Sequence, residues 1–177
     1  MSSVVISGDS SGTVSLTVPS AAGTNTATLP AATGTVMVSG NMPAFSAYAG
    51  SVTSLTSSAE VKILFDTEEF DTNNNFASSR FTPTVSGYYQ INGAVRLAAL
   101  NASVYVQINK NGSAYKIGTL IQVAASYSPV LLVSSVVYLN GSTDYVEIYA
   151  FQNSGSSQNT TAGSIVTWFN GSLVRAA

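Results

Sequence analysis

The chain has 177 residues, which is enough for one well-buried core and a modest appendage but hardly for two independent domains. It contains no cysteine and no histidine, so disulfides, thiol chemistry, imidazole bases and the usual zinc ligands are excluded. The six basic residues are scattered singly in a chain of net charge −2, so we expect no nucleic-acid partner.

The first 42 residues differ in composition from the rest of the chain. No aromatic residue precedes Phe45, and Asp9 is the single charged residue among the first 59. The start Met1-Ser2-Ser3 lacks the basic and apolar parts of a secretory signal, and no apolar run reaches the ~18 residues that span a bilayer. We therefore expect an extended arm, residues 1–42, and a packed domain, residues 43–177, which are made in a cytoplasm without membrane insertion.

The arm carries strand-like segments separated by proline and glycine. Apolar and hydroxyl side chains alternate over residues 13–18, which predicts a half-buried strand, and segment 17–23 recurs in register at 28–34. Such a segment buries too little apolar area to offset its own ordering entropy. It is either a docking arm that adds strands to another surface or a flexible linker, and the alternation favours docking. The candidate docking residues are Val14, Leu16, Val18, Leu29, Val36 and Val38.

Residues 43–177 alternate apolar and polar side chains and show no apolar spacing of helical period, which predicts an all-β domain. The clearest alternating runs are 61–65, 89–97, 104–108 and 146–150. Strands at this spacing indicate a sandwich of two sheets. Tyr89 shares the register of Ile91 and Val95, so we expect its side chain to point inward.

Asn-Gly occurs four times, and it marks hairpin turns because both residues tolerate positive φ. Asn111-Gly112 and Asn140-Gly141 separate alternating runs and are predicted turns. Asn92-Gly93 and Asn170-Gly171 interrupt runs and are predicted strand glycines or bulges.

One segment concentrates carboxylates, and its acidic residues are Asp66, Glu68, Glu69 and Asp71. Oxygen-rich loops can hold Ca²⁺, and paired carboxylates can hydrolyse glycosides. The segment lacks the glycine and spaced acidic positions of the known Ca²⁺ loop, so a solvated loop without metal or cofactor is the favoured interpretation, and Ca²⁺ is the weaker alternative. Because no histidine is present to activate a serine, we do not expect an enzyme.

Several short motifs occur in a characteristic order along the domain. They are Pro43 to Ala47, Phe65-Asp66 followed by Phe76, Arg80-Phe81-Thr82-Pro83 before Gly87-Tyr88-Tyr89, Asn109-Lys110-Asn111-Gly112, Tyr138 to Gly141 with Asp144-Tyr145-Val146, and Trp168 to Gly171 with Leu173. In this order and spacing they resemble a C1q-like domain of the C1q and tumour-necrosis-factor superfamily. The resemblance covers residues 43–177.

The resemblance implies a ten-stranded jelly-roll sandwich that forms a homotrimer. A charged fraction of 8% agrees, because burial in an oligomer would shield a surface with so few charges. The resemblance also implies that the large aromatic residues fill the core or the seam between subunits. These residues are Phe45, Phe65, Phe81, Tyr88, Tyr89, Trp168 and Phe169.

The arm resembles the Ser/Thr-rich lead-ins of tailed-bacteriophage virion proteins. This resemblance implies a trimeric capsid decoration or cement knob on the virion surface, with the major capsid protein or other virion proteins as partners. The alternative is a tail-fibre or head-fibre tip that binds a host-surface receptor or glycan. The candidate ligand-loop residues are Tyr127, Gln152, Asn153, Gln158 and Asn159, although such polar loops are more often plain connections.

Overall fold

The computed structural model describes residues 3–21, 23–26, 28, 31, 34 and 36–177. Its contacts divide the chain into an N-terminal unit, Met1–Gly34, and a domain, Thr35–Ala177. Residues 36–42, which we assigned to the arm, are thus grouped with the domain. Met37 packs against the domain core, and the Gly40 carbonyl accepts a hydrogen bond from Asn73 Nδ2 at 3.1 Å. Within the described ranges, no helix is long and apolar enough to cross a membrane.

The N-terminal unit contains an antiparallel hairpin of β1 (Ser3–Ser7) and β2 (Thr13–Thr17). Strand β2 lies where the alternation predicted a strand. Its partner β1 was not predicted, because the continuous apolar run Val4-Val5-Ile6 has no alternation. Gly12, with φ of +79°, lies in the connection, where glycine adopts this backbone conformation without steric cost.

The domain is built from strands, with one 3-10 turn at Ser39–Asn41 before the first of them. The strands are β3 (Ala44–Tyr48), β4 (Ser54–Leu55), β5 (Ala59–Lys62), β6 (Thr67–Asp71), β7 (Phe76–Ala77), β8 (Arg80–Phe81), β9 (Gly87–Arg96), β10 (Leu100–Lys110), β11 (Ser113–Tyr127), β12 (Val130–Leu139), β13 (Val146–Gln152), β14 (Gln158–Asn159) and β15 (Trp168–Ala176).

These strands form two antiparallel sheets packed face to face. The first sheet has the order β12-β9-β15-β3-β6, and the second has the order β11-β10-β13-β8-β7, with β5 also paired to β13. The short strands β4 and β14 pair separately. Most neighbours within a sheet are distant in sequence, which is typical of a jelly roll. The prediction of an all-β jelly-roll sandwich is confirmed.

The alternating runs supply the core as predicted. The inward positions of β9, β10 and β13 are buried, and Tyr89 is fully buried while Tyr88 faces outward at 44% exposure. Aromatic rings fill the centre: the Phe45 ring lies 5.0 Å from Phe76, 4.3 Å from Phe81 and 4.8 Å from Phe169. Because Phe45 and Phe169 lie on the paired strands β3 and β15, this cluster joins the two ends of the domain.

The two predicted Asn-Gly turns differ in the strands that they connect. Asn111-Gly112 joins the hairpin β10-β11, with φ of 52° and 79°, as a two-residue turn of this type requires. Asn140-Gly141 begins a loop between β12 and β13, which belong to different sheets, so it is a turn but not a hairpin. There the Asn140 Oδ1 accepts hydrogen bonds from the backbone amides of residues 142, 143 and 144.

A glycine allows the two sheets to approach at one edge. A Cβ atom added at Gly118 of β11 would lie 2.2 Å from the carbonyl oxygen of Leu132 in β12. Next to it, the Thr119 hydroxyl exchanges hydrogen bonds of 3.1 Å with both the amide and the carbonyl of Leu132. The contact therefore requires a residue without a side chain at position 118.

Tyr89 should make the fold sensitive to alkali. Its phenol donates a hydrogen bond to the Val85 carbonyl at 2.6 Å, and burial raises the pKa of Tyr89 from 10.0 to about 12. The folded state holds this proton more tightly than the unfolded state, so the stabilisation is complete below pH 10 and is lost as the pH rises towards 12. We expect the free energy of unfolding to fall over this range by about 2–3 kcal/mol from Tyr89 alone.

Urea unfolding of the parent and of Tyr89→Phe, at several pH values and equal protein concentration, tests this expectation. At neutral pH the free energy of unfolding of the phenylalanine variant should be about 1 kcal/mol lower than that of the parent, because the hydrogen bond is absent. Between pH 10 and 12 its free energy of unfolding should fall less than that of the parent. An equal alkaline decrease in both proteins would contradict the assignment to Tyr89.

Candidate functional site

The hairpin in the N-terminal unit has one apolar face. In its register Val4 is opposite Leu16 and Ile6 is opposite Val14, so the four side chains lie on the same side of the ladder. Each of them is more than half exposed. The opposite face carries serine and threonine residues with Val5 between them. An apolar face of this kind contributes about 1.5–3 kcal/mol per side chain when another surface covers it.

Other predicted docking residues lie outside the hairpin. Val18 directly follows β2 and is exposed, as are Val36 and Val38, which flank the core-packed Met37. Leu29 lies outside the described residues. Among the predicted residues that the structure describes, Val14 and Leu16 lie together on one face of the hairpin, and Val4 and Ile6, which the sequence did not indicate, join them.

The outward face of the five-stranded sheet is a second candidate interaction surface. Its edge strand β12 exposes Val130, Leu132, Val136 and Tyr138 on alternate positions. The Tyr138 ring lies 5.4 Å from Tyr88 on the neighbouring strand β9. A long edge strand with exposed apolar residues is prone to association unless a partner covers it.

A row of polar side chains crosses the centre of this outward face. Asn92 donates from Nδ2 to Asn170 Oδ1 at 3.0 Å, and its Oδ1 accepts from Gln90 Nε2 at 3.0 Å and Ser134 Oγ at 2.8 Å. Asn92 and Asn170 precede the two strand glycines, as predicted, and lie opposite each other in β9 and β15. This amide row fixes side chains from three adjacent strands on a face that is otherwise partly apolar.

The structure divides the residues that we assigned to either the core or a subunit seam. The core contains Phe45, Phe65, Phe81, Tyr89 and Phe169. Tyr88 and the half-buried Trp168 lie on the outward face of the five-stranded sheet instead.

The acidic residues are spread along β6 and its flanks and serve separate local roles. The backbone amide of Gly50 donates to Asp66, which holds the pKa of that carboxyl below its usual value. Glu69 Oε2 accepts from the Ser46 hydroxyl at 2.7 Å, and Asp71 Oδ2 accepts from the Phe76 amide at 2.7 Å, while Glu68 is exposed. Across the described part of the chain, no three acidic, histidine or cysteine residues are arranged to hold a metal ion.

The predicted ligand-loop residues are not all accessible. The expectation that Gln152 is an exposed loop residue is wrong: it is fully buried, and its Nε2 donates to the carbonyls of Leu55 and Ser156. Asn153 Oδ1 accepts from the Ser103 amide, and Gln158 Nε2 donates to the hydroxyls of Ser154 and Ser156.

Tyr127 and Asn159 are exposed and belong to segments that meet at one end of the sandwich. The backbone amide of Leu97 bonds to the Pro129 carbonyl, and that of Ala98 bonds to the Asn159 carbonyl. Tyr127 and Asn159 are thus exposed predicted positions in segments that both adjoin the Leu97-Ala98 segment.

A polar cavity of about 510 Å³ opens on the six-stranded sheet. Two of its lining residues share one buried carboxylate, Glu147, behind the wall: Lys62 Nζ lies 2.6 Å and Arg80 Nε 2.9 Å from the same Oε1 atom. The Arg80 guanidinium also lies 3.6 Å from the centroid of the Tyr145 ring. The sequence analysis did not identify this cluster, because its members lie 67 and 85 residues apart in the chain and no local pattern joins them.

No protein-family model and no curated protein matches the sequence. Solved structures do match the domain. The globular domain of the zebrafish complement 1qA protein is 19% identical, with 76% of this chain and 98% of that chain covered and a TM-score of 0.58. Eiger TNF from S. frugiperda is 4% identical, with 77% and 95% covered and a TM-score of 0.62. Murine APRIL is 8% identical, with 75% and 99% covered and a TM-score of 0.58. The domain therefore has the jelly-roll fold of C1q and TNF proteins.

Proposed function

We propose that this chain is a non-enzymatic structural protein of a bacteriophage virion. It is a homotrimeric capsid decoration or cement knob, and its N-terminal hairpin docks on the major capsid protein or another virion protein at the virion surface. The observation that carries the proposal is the exposed apolar face of the hairpin, formed by Val4, Ile6, Val14 and Leu16. An isolated two-stranded hairpin is marginally stable in water, so a covering surface would stabilise this one.

Trimerisation strengthens such docking. The C1q-like resemblance implies three copies, and the exposed apolar positions of β12 and of its neighbour in the other sheet, β11, supply a surface for them to bury. Three hairpins on one trimer would bind a multivalent shell together. Each weak contact then raises the effective concentration of the next, so modest individual affinities give lasting attachment.

Aspartate substitutions on the two faces of the hairpin test the docking role. We expect Ile6→Asp with Leu16→Asp to reduce binding to purified particles lacking the protein at least tenfold, because two carboxylates would be desolvated on docking. The matched control, Ser7→Asp with Ser15→Asp, places the same charges on the opposite face and should retain binding. Binding by the face variant equal to that of the control would contradict the proposal. Thermal unfolding of the domain should be the same for all three proteins.

The second candidate is the tip of a tail or head fibre that binds a host-surface receptor or glycan. It is favoured by the exposed residues Tyr127 and Asn159, which belong to adjoining segments at one end of the sandwich. Quantitative mass spectrometry of purified virions separates the two functions. A copy number comparable to that of the major capsid protein supports decoration, whereas a few trimers per particle support a receptor-binding tip.

A further inference from the structure

The cavity beside Glu147 is an open depression lined by polar and basic side chains. None of its nine lining residues in the described chain carries a carboxylate, and Ala77 is the only apolar one. Its volume is within the range of small-molecule sites, but the lining is not the apolar type that takes drug-like ligands. Hydroxyl and amide groups surround it, from Asn74, Thr82, Thr84 and Ser142.

The two cations give the cavity a positive wall. Glu147 is only 2% exposed and accounts for one negative charge, so the cluster of Lys62, Arg80 and Glu147 retains a net charge of +1. Both basic side chains remain partly exposed, at 25% for Lys62 and 42% for Arg80. An anion in the cavity would therefore meet a charge that the protein itself has not neutralised.

Arg80 is held in an orientation that suits a planar or tetrahedral anion. Its Nε donates to Glu147, and its guanidinium is stacked on Tyr145, so few rotamers remain open to it. No hydrogen bond within the described residues uses its two terminal nitrogens. These nitrogens can form the paired hydrogen bonds by which arginine binds a carboxylate or a phosphate.

The remaining wall is fixed by local hydrogen bonds. The Asn75 Oδ1 accepts from the Thr84 amide at 3.2 Å, and the Thr82 amide donates to the Asn75 carbonyl at 2.8 Å. Asn74 and Ser78 hold positive φ values of 52° and 51°, which non-glycine residues keep only when their surroundings impose them. These contacts fix the backbone that carries the hydroxyl and amide groups of this wall before any ligand binds.

We infer that this cavity binds a sugar ring that carries one carboxylate or phosphate. Arg80 and Lys62 bind the anionic group, while the hydroxyl and amide side chains of Asn74, Thr82, Thr84 and Ser142 pair with the ring hydroxyls. The site goes beyond a decoration role, and it does not depend on the hairpin or on the location of the protein in a particle. The cavity is lined by residues of β5, β7 and β8, away from the edge strand β11 of the same sheet, so it lies apart from the proposed seam at β11 and β12.

Titration of the full-length protein with methyl glucuronide, glucose 6-phosphate and uncharged methyl glucoside, followed by NMR or calorimetry, tests the inference. We expect at least one charged sugar to bind with a Kd on the order of 1 mM, and methyl glucoside to bind at least about tenfold more weakly. Binding of the glucuronide alone identifies a uronate-type ligand, and binding of glucose 6-phosphate alone identifies a phosphorylated sugar. Inorganic phosphate should bind more weakly than glucose 6-phosphate; equal binding would overturn the role of the hydroxyl-lined wall.

Matched variants locate the site. Arg80→Gln should weaken charged-sugar binding at least tenfold, whereas Lys116→Gln removes one charge from exposed strand β11 and should change nothing. Ala77→Trp fills the cavity while leaving the Lys62–Glu147–Arg80 cluster intact, so it should abolish binding. This second variant keeps the test decisive if Arg80→Gln destabilises the fold. The inference is overturned if no charged sugar binds, if the glucoside binds equally well, or if Ala77→Trp binds as the parent does.

Discussion

Replacement of Phe169 by alanine is expected to lower the free energy of unfolding by about 3–5 kcal/mol, because it removes a buried ring and leaves a cavity. The Phe169 ring lies 4.8 Å from Phe45, 5.4 Å from Phe65 and 5.8 Å from Phe76, so the new cavity lies at the centre of the aromatic cluster. These neighbours come from strands of both sheets and from the segment after β5, which limits how far the core can collapse into the space.

Phe70→Ala is the matched control for this experiment. Phe70 is 52% exposed on β6, so the same chemical change there should cost less than about 1 kcal/mol. Urea unfolding of both variants and the parent, at one fixed protein concentration, gives the comparison. Equal losses in the two variants would mean that the cluster around Phe169 does not hold the two sheets together.

Replacement of Val136 by aspartate is expected to convert the proposed trimer to monomers at micromolar concentration. Val136 projects from the outward face of β12, two positions from Tyr138 and opposite Gln90 of β9. A trimer would bury one new carboxylate per subunit at this seam, and each unpaired buried charge costs several kcal/mol. The fold of the single domain should survive, because Val136 is 49% exposed within one chain.

Ile165→Asp is the control for the seam experiment. Ile165 is 89% exposed in the segment between β14 and β15, and it does not lie on the outward face of the five-stranded sheet. Sedimentation velocity should show the mass of the parent for Ile165→Asp and a threefold smaller mass for Val136→Asp. A trimeric Val136→Asp protein with the stability of the parent would place the subunit interface elsewhere.

Local periodicity was sufficient to predict much of the fold. The alternation in β9, β10 and β13 correctly assigned the inward side chains, including Tyr89 rather than Tyr88, because the pleat of a strand fixes which residues share a face. The Asn111-Gly112 hairpin was also predictable, because its turn requires positive φ at both residues.

Features that depend on distant contacts could not be predicted. Gln152 ends an alternating run and is polar, but the carbonyl of Leu55, 97 residues away, binds its amide and buries it. The pairing of Lys62 and Arg80 with Glu147 likewise exists only after β5, β8 and β13 have met in one sheet. The amide row of Gln90, Asn92, Ser134 and Asn170 also requires three strands in register.

The end of the arm also depends on contacts with distant residues, so the sequence could not locate it. Composition changes at Phe45, but packing of Met37 against the core and the hydrogen bond to Gly40 group residues 36–42 with the domain. Short apolar segments such as Val4-Val5-Ile6 carry no period, so β1 could be recognised only once its pairing with β2 was visible.

Sedimentation equilibrium of the full-length protein at micromolar concentration tests the central claim most directly. If three jelly-roll domains close on the outward face of the five-stranded sheet, the measured mass will be about 55 kDa, three times the 18.2 kDa of one chain. A stable species of 18.2 kDa would contradict this account, because the apolar surface of β11 and β12 would then have no subunit to cover it.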